Sequence, residues 1–171
     1  HCVTRRQRQM CIRDRYLSIK QEFMSYAVRY IHFLSILLVY AAVFAEFIML
    51  SRSLSRQKIS FLAKIDGVYG IASIFVVGAG MAMWFGFDAG LGFKPSAWYM
   101  ENPIFHLKYG LFVLVGILSI WPSIFFMRQR KGDQKEDIQI PNHIRAIVRI
   151  ELIILSLIPI LAVLAAAGIS I

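Results

Sequence analysis

Residues 31–50 form a run of twenty that is nearly all apolar. Coiled as a helix at about 1.5 Å per residue, it spans roughly 30 Å, the thickness of a bilayer's hydrocarbon core. That length of apolar chain dictates a membrane-crossing helix before any other feature is weighed. Two ionisable residues interrupt it, His32 near one end and Glu46 near the other. They are fourteen positions apart, close to four turns, so at about 100° per residue they fall within roughly 40° of one face.

Three further apolar blocks of spanning length follow, at about 65–85, 104–126 and 150–171. The expected fold is all-α, an integral membrane four-helix bundle, with one polytopic domain over residues 24–171. The chain is 58% hydrophobic and 17% charged, against about 25% charged in soluble domains, which excludes that class. The net charge of +9 reads as cytoplasmic loops lying against anionic headgroups. No basic stripe with interleaved aromatics is present, so the lipid bilayer and not nucleic acid is the expected partner. Homo-oligomerisation and a membrane partner are left open. Cys2 and Cys11 imply neither a disulfide nor a metal framework.

Residues 1–23 differ from the rest. Arg5, Arg6, Arg8, Arg13, Arg15 and Lys20 crowd there, and no signal-peptide core follows. The stretch MCIRDR at 10–15 resembles the translated end of a transposon adapter used in library preparation. The expectation is a non-native or disordered leader, with the natural protein starting at Met24. The alternative is a genuine basic arm for lipid headgroups. Without the segment, six positive and two negative charges go, leaving +5.

The loops set the orientation. The first carries Arg52, Arg56, Lys58 and Lys64, the second only Lys94, and the third six Lys or Arg. The positive-inside rule makes the first and third cytoplasmic and both termini periplasmic, in a bacterial inner membrane. Gly67, Gly70, Gly78 and Gly80 make the second block rich in small residues, which let helices approach closely. Pro103 suits a helix start, and Pro159 falls inside the last block.

This topology sorts the polar residues into two layers, and charge inside a membrane calls for a partner or a function. The outer layer holds His32, His106 and Lys108. The inner layer holds Glu46, Asp66, Tyr69 and Glu151, with Arg52 and Arg149 close by. Glu46 lies near a helix C-terminus, where the dipole is unfavourable, so it needs a cation, a hydrogen-bond donor or its own proton, with Arg149 or Arg52 the expected partner. On that basis Glu46→Ala should cost more stability than truncating a loop acid such as Glu136. Asp66 and Glu151 fall at expected helix N-termini, where capping alone accounts for a carboxylate. Together the three could bind a cation, relay protons or anchor the arginines. His32 and His106 could be two axial haem ligands or two metal ligands, although no third ligand at metal spacing accompanies them. Packing and hydrogen bonding are the plainer roles for both, and Lys108 could simply snorkel.

From Tyr30 onward the chain resembles a bacterial family of four-helix membrane proteins, domain of unknown function 2214. The resemblance rests on HFLSILLVYAAVFAE with His32 and Glu46, AKIDGVYG with Asp66 and Tyr69, WYMENPIFHLKYGLFVLVGILSIWP with Lys108, and IELIILSLIPILAVLAAAG with Glu151. It departs at His106, where the family has Trp, which weakens a His32–His106 ligand pair. More distantly the layout is similar to the superfamily of copper-resistance protein D and haem-containing protoporphyrinogen oxidase. His32 and Lys108 match its early His in the first helix and early Lys in the third, and Arg149 with Glu151 echoes its last-helix motif. That likeness implies haem b or copper. The functions expected are a haem- or metal-binding redox protein using His32 and Lys108, a small proton-coupled transporter using the carboxylates, or a non-catalytic membrane subunit.

Overall fold

The computed structural model describes residues 5–86 and 93–167. Expectations for residues 1–4, 87–92 and 168–171 lie outside the described residues. The elements run α1 (Arg5–Met49), β1 (Ser53–Ser55), α2 (Arg56–Phe85), α3 (Ser96–Glu101), α4 (Pro103–Gln129), β2 (Asp137–Gln139) and α5 (Asn142–Ala166). The fold is the expected all-α bundle: α1, α2, α4 and α5 are each long and apolar enough to cross a membrane. No more than 28% of any of their most apolar windows is buried inside the protein, so most of that surface has lipid as its only apolar solvent. Phe33, Leu37, Ile71, Ile74, Ile117, Ile120, Ile153 and Val163 face outward accordingly.

The helices form two antiparallel pairs, α1 with α2 and α4 with α5, joined by lesser α1–α5 and α2–α4 contacts. The interior stripe of α1 runs through Ser35, Val39, Ala42, Val43 and Glu46, at helical spacing. It meets Tyr69, Ala72 and Val76 of α2, Val115 of α4, and Val148 and Leu155 of α5. The glycines of α2 do not make this contact. A methyl group added at Gly67, Gly70 or Gly78 would meet nothing, and at Gly80 only the His32 ring. Alanines and valines carry the close approach instead.

A second core lies at the loop end, where Ile59, Leu62 and Ala63 of α2 close on Leu54, Phe126, Ile140 and Ile144. It explains why α2 and α5 begin eight or nine residues earlier than their apolar runs suggest. Residues 56–64 and 142–149 put Ile59, Leu62, Ala63 and Ile144 into this core and leave Lys58, Lys64, His143 and Arg149 exposed. Above it β1 and β2 pair antiparallel, Ser53 with Gln139, Leu54 with Ile138 and Ser55 with Asp137. Strand pairing between the first and third loops was not anticipated from sequence.

The loop after α4 then folds over the start of α2. The N–H groups of Arg56 and Gln57 donate to the carbonyls of Glu136 (2.9 Å) and Gln134 (3.2 Å), satisfying donors that a helix N-terminus leaves unpaired. The buried Arg56 guanidinium donates to the carbonyls of Gln129 and Lys131 and to the Glu136 carboxylate. At the other membrane face, the Asn102 side chain accepts from the Phe105 N–H at 3.2 Å, and Pro103 occupies the first position of α4, as expected.

α1 runs unbroken from Arg5, through the residues set apart as a leader. These contain neither Gly nor Pro to interrupt a helix. Cys11 is disulfide-bonded, which the sequence did not lead us to expect. Residues 9–20 are all exposed, and from residue 9 onward the first buried residue is Ser25. Deleting the chain through Phe23 is therefore expected to leave membrane insertion and thermal midpoint unchanged. Expression and melting of the truncated protein would check this, and a large loss of either would refute it.

Candidate functional site

The carboxyl layer is built where the two helix pairs meet. Glu46 is 3% exposed and Glu151 1%, on the adjoining helices α1 and α5. Neither makes a hydrogen bond or ion pair among the described residues, and the Oε1 atom of each is buried and unpartnered. Asp66 of α2 accepts a hydrogen bond from the Ser123 hydroxyl of α4 at 2.7 Å. The three carboxyl groups are within electrostatic range, Asp66 acting on both glutamates and Glu151 on Glu46. The buried Tyr69 phenol lies within range of both glutamates and beside the Ser119 and Ser73 hydroxyls.

Two expectations are corrected here. Asp66 and Glu151 are not at helix N-termini: α2 starts ten residues before Asp66 and α5 nine before Glu151. The helix dipole acts within the first turn, so neither capping nor dipole accounts for them. Arg52 and Arg149 are not partners of Glu46 either. Both are exposed and line a separate cleft with Arg145, beyond the apolar spans. The one ion pair among the described residues joins Arg56 to Glu136, so Glu136 is no neutral reference for Glu46. Arg56 and its loop are the polar feature that sequence reading missed. Gly132 in a basic loop was the available signal.

The outer layer is looser. His32 is half-buried and its Nδ1 lies 3.0 Å from the Val76 carbonyl of α2. An imidazole bonded to a carbonyl through Nδ1 carries its proton there, which leaves Nε2 free to accept. Lys108 of α4 is within electrostatic range of His32 and has no carboxylate partner among the described residues. His106 is exposed, its Nε2 bound to the Met100 carbonyl at 2.9 Å, so it ties α4 to α3. Above them Phe105 packs edge-on to both Trp84 and Tyr99, with centroids 5.2 Å apart in each pair. Partial burial pushes the Tyr99 phenol above its usual range, and Arg29 nearby pulls it back. The hydroxyl thus remains a donor at physiological pH.

The Nε2 of His106 is spent on the Met100 carbonyl, so only its Nδ1 is left to bind a further group. Among the described residues no three His, Cys, Asp or Glu side chains are arranged to hold a metal ion. What the arrangement can do is hold protons on buried carboxyl and phenol groups that act on one another electrostatically.

A four-helix integral membrane protein with a buried carboxyl layer is the class that this fold and site define. The chain belongs to the bacterial family described as "Predicted membrane protein (DUF2214)", which matches residues 24–170. No curated protein and no solved structure gives a match.

Proposed function

We propose that this protein moves protons through its inner carboxyl layer, as a small proton-coupled carrier. The observation that carries the reading is the pair Glu46 and Glu151, deeply buried and, among the described residues, without a cation or hydrogen-bond donor to hold them. Uncompensated carboxyl groups inside a membrane are expensive, and such residues mark proton relays and ion paths. Asp66 with Ser123, and Tyr69 beside Ser119, extend the chain of exchangeable groups onto α2 and α4. The purified full chain in liposomes should discharge an imposed proton gradient, read with an internal pH dye. Glu46→Gln and Glu151→Gln should reduce that flux to the level of empty vesicles while helicity and monodispersity are kept. Flux absent from the unaltered protein, or undiminished by either substitution, would refute the reading.

The free Nε2 of His32, with its Nδ1 held by Val76, supports a second reading, a redox protein in which His32 is a sole axial ligand and Lys108 lies near an anionic group. This is the reading that the distant likeness to copper-resistance protein D and haem-containing protoporphyrinogen oxidase implies. A Soret band lost in His32→Ala would favour it over proton transport.

The orientation proposed is cytoplasmic for the β1–β2 end and periplasmic for both chain termini, in the inner membrane. Four or more basic residues in each of the first and third loops, against Lys94 in the second, support it. With Cys2 and Cys11 replaced, Lys94→Cys should be labelled by an impermeant thiol reagent from the periplasmic side and Lys58→Cys should not. The reverse pattern would invert both layers.

A further inference from the structure

We infer that the cleft lined by Arg52, Gln139, Asn142, Arg145 and Arg149 is a binding site for a phosphate group, distinct from the carboxyl layer and independent of the function proposed for it. Asn142, Arg145 and Arg149 fall at i, i+3 and i+7 of α5, on one face of its first turns. Arg52 reaches the same cleft from the chain just after α1, held there because its carbonyl accepts the Ile140 N–H at 2.9 Å. Three guanidinium groups thus surround a cleft of about 540 Å³. None of the three has a carboxylate partner among the described residues.

Converging like charges repel, and no ion pair among the described residues offsets them. Arg145 is fixed by donating to the Asn142 side chain, yet its Nε is buried and unpartnered. That is an orphaned donor beside the cleft. The cleft also begins at the start of α5, whose N-cap is Pro141 and which has no side-chain cap, so the positive end of the helix dipole lies at its Asn142 end. Planar guanidinium forks match phosphate oxygens two at a time, which lysines would not. Arg52 follows the end of α1 and Arg149 directly precedes the apolar run of α5, so the site lies at headgroup depth. Its phosphate could come from an anionic phospholipid or from solution.

The test uses the full chain in lipid nanodiscs. In the first arm, phosphatidylglycerol is titrated into phosphatidylcholine discs and the bound anionic lipid is counted by native mass spectrometry. In the second, inorganic phosphate is titrated into pure phosphatidylcholine discs and the thermal midpoint is followed. Arg149→Gln and the double variant Arg145→Gln, Arg149→Gln should weaken binding in the responsive arm by about tenfold or more. Lys58→Gln, an exposed charge at the same end but outside the cleft, should leave it unchanged. Response in the first arm assigns a lipid headgroup, and response in the second alone a soluble phosphate. Saturation in neither arm, or equal weakening by Lys58→Gln, would overturn the site. Arg149 is exposed and unpartnered, so its substitution does not threaten the fold.

Discussion

Glu46→Met is expected to raise the thermal midpoint of the purified protein while abolishing proton flux. Methionine has nearly the volume and flexibility of glutamate, so the packing around Val43 and Tyr69 is kept. What disappears is a carboxyl group that is 3% exposed and has an orphaned oxygen. A buried polar group without a partner costs about 1–3 kcal/mol, and an apolar isostere recovers it. Glu151→Leu should act the same way, being 1% exposed and equally unpartnered. The two sites are electrostatically coupled, so their gains should not add. This reverses the expectation from sequence that losing Glu46 destabilises, which assumed an arginine partner that is absent. Detergent melting curves beside vesicle flux measurements would check it. A lowered midpoint in both variants would mean that the carboxyl groups are bonded after all.

Gly132→Val should cause the largest loss of stability of any single loop substitution. Gly132 has φ +125°, a backbone conformation that side-chain-bearing residues rarely adopt. A Cβ there would also lie 2.9 Å from the Arg56 Cζ, in contact with a guanidinium that holds three acceptors. Backbone strain and displaced packing each cost about 1–3 kcal/mol, so a total of roughly 2–6 kcal/mol is expected. Glu136→Gln should cost far less, since that carboxylate is half exposed and its ion pair is screened by water. Melting of the two variants side by side separates the glycine's role from that of the charge.

The bundle was legible because bilayer thickness fixes the length of an apolar run, and because α1 carries His32 and Glu46 on the interior stripe that its spacing implies. Helix starts were less so. An apolar run marks where lipid begins, whereas α2 and α5 start in an amphipathic stretch packed on the second core. That error supplied the capping explanation for Asp66 and Glu151 and hid how deeply they are placed. The pairing of β1 with β2 joins segments more than eighty residues apart, and three-residue strands leave no periodicity to detect. The arginine partner failed for a related reason. Charge proximity along the sequence suggested Arg52 and Arg149, but both project past the apolar spans toward water.

The β1–β2 pair and the Arg56 clasp bind the α1–α2 hairpin to the α4–α5 hairpin at one end of the molecule. At the opposite end, the cross-links found among the described residues are ring contacts, such as Trp84 with Phe105. The two hairpins therefore resemble a pair of tongs riveted at one end. Glu46 rides on one jaw and Glu151 on the other. A shift of one jaw against the other therefore changes the spacing of the two acids.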